Sequence, residues 1–211
     1  MDALRERLTR AGAWDARLES ELNALWKYGV ERIQHAALKR TISDFLCIVP
    51  VVFFTDHASR SGRFHPRWQN ERHGTLRSII ESCVLVPPMA QYVPELLDAS
   101  MKPDPHAVDV ALAATIVSDT WKKEDAGDVH HGKEHGRVAA EHWRAFALAA
   151  GLDPVLVEEV ATGVHWHYGP YTPGWTRDSR LPPVAWLVHL CDAFTAQPDL
   201  AVIYENKAVI T

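Results

Sequence analysis

The chain has 211 residues, which is enough for one domain with a sizeable hydrophobic core. Its net charge of −5 gives no general affinity for nucleic acid, and its three cysteines, none in a C-x-x-C spacing, argue against a disulfide framework and a zinc ribbon. The first residues lack an apolar signal core and the most apolar run, 45–55, is too short to span a bilayer. We therefore expect a cytoplasmic protein with neither a membrane nor a long nucleic acid as partner.

Helical periodicity dominates the N-terminal segment, residues 1–48. Leucines recur at three- and four-residue steps over 1–28, which predicts a helix, and a second short helix is predicted over 29–47. Residues 49–72 contain prolines and a glycine and read as an ordered loop rich in basic and aromatic side chains. Within this loop, residues 49–55 are the only strand-like run.

Helical patterns also dominate residues 73–200, which we interpret as the core of the protein. They predict helices over 73–85, 106–122, 134–150, 153–166 and 184–196. Pro87 and Pro88 are expected to end the first of these, and Gly151 the third. Because one strand-like run does not make a sheet, the predicted fold class is all-α, with a single domain over 1–211.

Two carboxylates lie in otherwise apolar helical runs. Asp119 follows the run 110–118, and Asp192 lies within the run 184–194. An unpaired buried carboxylate is costly and tends to become protonated. A cation between the two would explain both, although each could instead cap a helix or pair with an arginine.

Histidines provide a second set of candidate ligands. His73 and His135 lie near the starts of predicted helices, whereas His165 and His167 lie at the end of another. Imidazole and carboxylate together suit zinc, iron or manganese. A two-metal centre of this kind can activate water and hold a phosphoryl group.

The order of these motifs resembles the HD superfamily of metal-dependent phosphohydrolases. The segment 73–77 resembles the first-histidine segment of the family, and 118–122 falls where the family has His-Asp-x-Gly-Lys, with Asp119 and Lys122 matching. His135-Gly136 resembles the middle histidine, the segment 165–170 resembles the paired histidines of the two-metal branch, and 189–193 resembles the closing segment with its aspartate. The resemblance covers about residues 70–200.

This resemblance implies a single-domain helical bundle of the HD type that binds one or two divalent metal ions. Manganese, magnesium, zinc and iron all remain open, as does a homo-oligomeric state. The implied metal ligands are His73, Asp119, His135, His165, His167 and Asp192. The implied catalytic residues are Asp119, Lys122 and Ser118.

Ser118 departs from the family pattern, because it replaces the histidine of the His-Asp pair. A neutral hydroxyl is a poor ligand for zinc or iron compared with imidazole. Three explanations stay open: a site that prefers magnesium or manganese, a natural loss of catalysis, and an engineered change that traps substrate.

A basic segment precedes and overlaps the first histidine. Residues 60–77 contain five arginines and one acid, with aromatic side chains between them. Guanidinium groups suit phosphate oxygens and aromatic rings can stack on bases. The candidate substrate-binding residues are therefore Arg63, Arg67, Arg72, Arg77 and Trp68. The alternative interpretation is a solvated basic loop.

These observations favour a phosphohydrolase that acts on a small-molecule nucleotide by metal-activated attack of water. The resemblance implies a deoxynucleoside triphosphate, a monophosphate or a signalling nucleotide as substrate. Two alternatives stay open: a non-catalytic nucleotide-binding module, consistent with Ser118, and a di-iron oxygenase of the HD type.

Overall fold

Nine α-helices are present in the part of the chain that the computed structural model describes, residues 1–58, 65–125, 130–176 and 180–197. They are α1 (Asp2–Arg10), α2 (Ala16–Tyr28), α3 (Ala36–Phe45), α4 (Val51–Thr55), α5 (Gly74–Ala90), α6 (Pro105–Ser118), α7 (His135–Ala149), α8 (Pro154–His165) and α9 (Pro183–Thr195). Short 3₁₀ helices connect several of them. The described ranges contain no β-strand, only two isolated bridges, which confirms the all-α prediction.

Helix α6 is the centre of the bundle. It packs against α5, α7, α8 and α9, and nearly all of its side chains are buried, as its uniformly apolar sequence predicts. Asp104 caps its first turn, and Pro105 occupies the first helical position. The helix ends at Ser118, four residues earlier than predicted, so that Asp119 is the residue at its C-terminal cap.

The N-terminal segment differs from its predicted form. The single helix expected over 1–28 is divided into α1 and α2, because Gly12 adopts a left-handed φ of +68° and turns the chain. Asp15 then starts α2 by accepting a hydrogen bond from the backbone N–H of Leu18. The predicted helix over 29–47 consists of a 3₁₀ turn, Val30–Arg32, followed by α3.

Two further local predictions were wrong. The strand-like run is helix α4, which starts after Pro50 and buries Phe53 and Phe54; the described residues provide no strand for it to pair with. Helix α5 passes through Pro87 and Pro88 and ends at Ala90. Its packing against α2, α6 and α9 outweighs a proline penalty of about 3 kcal/mol per residue.

The last three helices begin and end close to the predicted positions. Gly151 follows α7 with φ +76°, and Asp153 caps α8, which has Pro154 at its first position. The C-terminal ends of α6, α8 and α9 and the N-terminal end of α7 point to one side of the bundle, where the candidate site lies. Among the described helices, none has the length and apolar character needed to cross a membrane.

Candidate metal centre

Asp119 is the first component of the site. Its position at the end of α6 places the carboxylate in the interior, where it is 2% exposed. The Oδ2 atom accepts a hydrogen bond from Lys122 Nζ at 2.6 Å, while Oδ1 faces two imidazole rings. The carboxylate therefore has one oxygen paired with a cation and the other directed towards the histidines.

His135 is the first residue of α7, and its ring contacts this carboxylate. Its Nδ1 faces the carbonyl oxygen of Gly132, and its Nε2 lies 3.1 Å from Asp119 Oδ1. Since a carbonyl oxygen only accepts hydrogen bonds, Nδ1 carries the proton. In the neutral ring the Nε2 lone pair is then directed at Asp119.

His167 follows the end of α8 and has the same arrangement. Its Nδ1 donates to the carbonyl oxygen of Val164 at 2.6 Å, and its Nε2 lies 2.9 Å from His135 Nε2 and 3.7 Å from Asp119 Oδ1. The ring is 1% exposed. Burial and the neighbouring His135 lower the pKa of His167 to about 3, so this ring is neutral at pH 7.

The three inward-facing atoms form a compact triangle. Metal–ligand lengths of about 2.0–2.2 Å separate neighbouring ligand atoms by roughly 3.0–3.5 Å in tetrahedral or octahedral geometry. The observed separations of 2.9, 3.1 and 3.7 Å bracket this range. Among the described residues, this is the one group of three or more such side chains whose ligand atoms all lie within 4.8 Å of one another.

The three inward-facing atoms of the triangle can all donate an electron pair to a cation. Two imidazole lone pairs and a carboxylate oxygen repel one another when they converge in a buried site. A divalent metal ion bound between the three atoms would relieve this repulsion. A histidine that donates its other N–H to a backbone carbonyl is typical of metal ligands, and both rings do so. The chemistry of the donor set therefore fits a divalent metal.

Lys122 extends the site beyond the triangle. Its Nζ donates to Asp119 Oδ2 and, at 3.3 Å, to the carbonyl oxygen of Ala58. Burial opposes the charge of Lys122, but the carboxylates of Asp119 and Asp192 outweigh burial and raise its pKa. Burial alone would raise the pKa of Asp119, yet the charge of Lys122 holds it well below its ordinary value. Asp119 is thus anionic and available as a ligand.

Asp192 lies near the group without belonging to it. It is partly buried on α9, and its carboxylate oxygens are not within 4.8 Å of all three ligand atoms. Burial and the negative charge of Asp119 raise the pKa of Asp192 to about 6. The charges of Asp192 and Asp119 therefore influence each other. Asp192 is the carboxylate that α9 could add to the ligand set.

Two glycines allow the rings to approach the backbone. A Cβ atom at Gly136 would lie 2.9 Å from His167 Cε1 and 3.0 Å from both His167 Nδ1 and the oxygen of Val164. At Gly169, where φ is +58°, a Cβ would lie 2.6 Å from the ring of His189. His189 in turn donates from Nδ1 to the carbonyl oxygen of His167 at 3.0 Å. The sequence analysis used the His-Gly pair at 135–136 only as a family resemblance; the structure shows that its glycine makes room for the ring of His167.

His73 is not brought into the group, contrary to the expectation from sequence. Its Nδ1 lies 2.6 Å from the carbonyl oxygen of Phe54, and its Nε2 lies 3.3 Å from Asp15 Oδ2. Its backbone is left-handed, with φ +68°, at the start of α5. Both ring nitrogens therefore have other partners, and the ring connects α4 and α2 in this structure.

His165 and Ser118 also lie outside the triangle. The ring of His165 packs edge-on against Trp166, and burial lowers its pKa, with charged residues of α7 as its electrostatic neighbours. The hydroxyl of Ser118 donates to the backbone oxygen of Thr115 at 2.9 Å and is buried. Neither side chain contributes a ligand atom in this conformation.

The predicted substrate-binding arginines have mostly structural contacts. Arg77 binds Glu21 through Nε and Nη2 and donates from Nη1 to the carbonyl oxygen of Trp68. Arg72 forms an ion pair of 3.4 Å with Asp15. Arg67 is exposed, and Arg63 lies outside the described residues. This segment is therefore tied to α2, although Arg67 is left at the surface.

Trp68 likewise has a structural partner. Its Nε1 donates to Glu81 Oε1 at 3.0 Å, which fixes the indole against α5. Sequence reasoning placed this ring in a substrate site because tryptophans stack on bases, but it did not identify the buried acceptor thirteen residues away. Base stacking by Trp68 stays a prediction.

Two cavities in the described part of the chain differ in size and in their distance from the site. A cavity of about 20 Å³ adjoins Asp119 and Lys122, and it is large enough for one water molecule. A larger cavity of about 770 Å³ is lined by the N-terminal ends of α6, α8 and α9. Because the triangle lies at the C-terminal ends of α6 and α8, the larger cavity is not the metal pocket.

No family model, curated protein or solved structure matches this chain. The assignment of the site therefore depends on its own geometry: a buried Asp-His-His group that could hold a metal ion.

Proposed function

We propose that the chain is a metal-dependent phosphohydrolase of the HD type that acts on a nucleotide. The observation that carries the proposal is the triangle of acceptor atoms from Asp119, His135 and His167, with Lys122 hydrogen-bonded to the same carboxylate. Three protein ligands leave further coordination positions free for water and substrate, which is typical of catalytic metal sites and not of structural ones.

A divalent metal bound to the triangle would supply Lewis acidity to a water molecule and to a phosphoryl oxygen. The protein supplies the orientation of the ligands, because the backbone oxygens of Gly132 and Val164 hold both imidazole rings in one tautomer. The apolar burial of α6 and α8 keeps other water away and strengthens each electrostatic contact.

Lys122 is the residue that we assign to the phosphoryl group. Its ammonium has three N–H bonds, and the described residues accept two of them, at Asp119 Oδ2 and the carbonyl oxygen of Ala58. The third can donate to a phosphoryl oxygen and offset the charge that develops there. A raised pKa keeps this ammonium protonated at the pH at which hydrolysis takes place.

The experiment that tests the proposal combines metal analysis with a nucleotide panel. The purified protein is analysed for bound metal, then assayed with manganese, magnesium, zinc and iron against nucleoside mono- and triphosphates, with products identified by chromatography. We expect metal in the protein and release of phosphate or pyrophosphate. His167→Ala should abolish both, whereas His165→Ala, two residues away and outside the triangle, should retain metal.

A non-catalytic nucleotide-binding module is the second candidate, and Ser118 favours it. Serine at position 118 offers no imidazole to a second metal ion, and its hydroxyl already donates to the backbone oxygen of Thr115. Nucleotide binding without turnover in the presence of every metal would favour this candidate. Iron in the protein together with oxygen consumption would instead favour an oxygenase.

A further inference from the structure

Gln69 lies in a buried chain of hydrogen bonds that connects α5 to His65. Its side chain is 0% exposed, and its Nε2 donates to Glu81 Oε2 at 2.6 Å and to the backbone oxygen of Thr195 at 3.3 Å. The backbone oxygen of Thr195 can only accept, whatever the protonation state of Glu81. The amide of Gln69 therefore has a fixed orientation, with Oε1 on its opposite side.

This orientation determines the tautomer of His65. The Nδ1 atom of His65 lies 2.7 Å from Gln69 Oε1, so Nδ1 carries the proton and donates it. Burial, together with the charge of Lys122, lowers the pKa of His65, and the ring is neutral at pH 7. Its Nε2 is thus a bare acceptor, and no hydrogen-bond partner for it occurs among the described residues.

Gln69, the hydrogen-bond partner of His65, is linked to the surroundings of the metal centre on two sides. The backbone oxygen of Gln69 accepts from the N–H of Ala58, whose own oxygen accepts from Lys122 Nζ. On the other side, Gln69 contacts Thr195, less than one turn beyond Asp192 on α9. The charges of Lys122 and Asp119 both act on the imidazole of His65.

A bare nitrogen that is connected to Lys122 through Gln69 and Ala58 selects the chemistry of its ligand. Its lone pair repels phosphate oxygens and takes up an O–H or N–H donor. In a nucleotide the donors closest to the 5′ phosphate are the sugar hydroxyl groups. Lys122 and the metal would bind the anionic phosphate of the substrate. The neutral sugar is therefore the part that His65 would bind.

We propose that His65 is the sugar-recognition residue of the site, and that its Nε2 accepts a hydrogen bond from a hydroxyl group of the nucleotide sugar. This proposal rests on the proposed function, since it deepens the description of the same site. Gln69, held by Glu81 and by the backbone oxygen of Thr195, is the positioning residue, because its orientation fixes the tautomer that leaves Nε2 bare.

Two substitutions at His65 separate its two nitrogen atoms. His65→Asn keeps a donor near the Nδ1 position, and with it the bond to Gln69, but removes the acceptor at Nε2. His65→Gln places an amide oxygen near the Nε2 position instead. Thermal unfolding of both variants checks that the fold is retained.

Binding is measured by calorimetry with manganese and non-hydrolysable nucleotides. These are 5′-phosphonates and methylene-bridged triphosphates of the four bases, each as a ribo, a 2′-deoxy, a 3′-deoxy and a dideoxy form. We expect the wild type to bind a hydroxylated form roughly 10- to 100-fold more tightly than the dideoxy form, as for the loss of one buried hydrogen bond. His65→Asn should lose this preference, and His65→Gln should retain part of it.

A measurement on the wild type does not depend on the folding of a variant. In nitrogen-15 spectra of histidine-labelled protein, the Nε2 resonance of His65 should shift when the hydroxylated analogue is added and should not shift with the dideoxy analogue. If the wild type binds the analogues without discrimination, or His65→Asn keeps the preference, the assignment of His65 is overturned while the proposed function stands. Loss of turnover with unchanged discrimination would equally overturn it, since His65 would then act on water. If the wild type binds no nucleotide, both proposals fall.

Discussion

Gly136→Ala is the substitution that tests the metal centre with the smallest chemical change. The added Cβ would lie 2.9 Å from His167 Cε1 and 3.0 Å from the oxygen of Val164. An ordinary van der Waals contact starts at 3.4 Å, so the ring of His167 has to move by about half an ångström. The bond from His167 Nδ1 to Val164 lies under the same methyl group and has to lengthen or rotate.

The expected effects on stability and on metal binding differ in size. Overpacking costs about 1–3 kcal/mol, and replacing a helical glycine by alanine returns about 1 kcal/mol. The net loss in the free energy of unfolding is therefore about 0–2 kcal/mol, or up to roughly 8 °C in Tm for a protein of this length. Metal affinity should fall roughly 10- to 100-fold, as is usual when the support of a ligand is disturbed.

Gly163→Ala is the matched control. This glycine also lies in a helix, and its added Cβ would be 2.8 Å from the Cβ of Ala114, but it would touch no ligand. Both variants are titrated with zinc and with manganese against a competing chelator, and their thermal unfolding is recorded with and without metal. Gly163→Ala should lose stability and keep its metal affinity. Equal metal affinities in the two variants would refute the assignment of His167 as a ligand.

Three other substitutions test separate parts of the structure. Burial raises the pKa of Glu81 from 4.5 to about 7, so its contribution to stability is fully present below pH 4.5 and is lost as the pH rises towards 7. Glu81→Gln should remove this dependence of the free energy of unfolding on pH, measured by unfolding curves over pH 4–8. An unchanged dependence would show that another group causes it. Asp109 accepts the backbone N–H groups of Gln34 and His35, so Asp109→Ala should cost about 3 kcal/mol and lower Tm by roughly 6–12 °C, while a metal titration shows unchanged affinity. Ser118→His should raise metal occupancy and nucleotide turnover together, as measured by metal analysis and product chromatography; equal occupancy in the two proteins would show that position 118 is not a ligand position.

Periodicity predicted the helices where one face or every face of a helix is buried. The uniformly apolar run predicted α6 because the helix is buried on every face. Gly151 and Asp153 predicted where α7 ends and where α8 begins. The failures occurred where tertiary packing outweighs local preference. Helix α4 has the β-branched and aromatic composition of a strand, and α5 tolerates two prolines because four other helices, α2, α4, α6 and α9, pack against it.

The site could be predicted only in part. Asp119 and His135 were recognisable because each lies at the end of a helix in an unusual local sequence, and His167 was one of two candidates in its segment. The sequence could not show that His73 binds Asp15 and Phe54, since neither partner is near it in the chain. The sequence did not single out His65, because its role depends on a buried glutamine whose orientation a sequence does not record.

The three ligands are distant from one another along the chain. Asp119 and His135 are separated by 16 positions and His135 and His167 by 32, so no two of them form a local chelate in an extended polypeptide. Metal binding at the triangle would thus be coupled to the docking of α7 and α8 onto α6, and the binding energy would be added to the folding energy. Cobalt bound at the triangle would develop its ligand-field colour only as these helices assemble. The rate at which this colour appears would then report the assembly of the bundle during folding, without an attached dye.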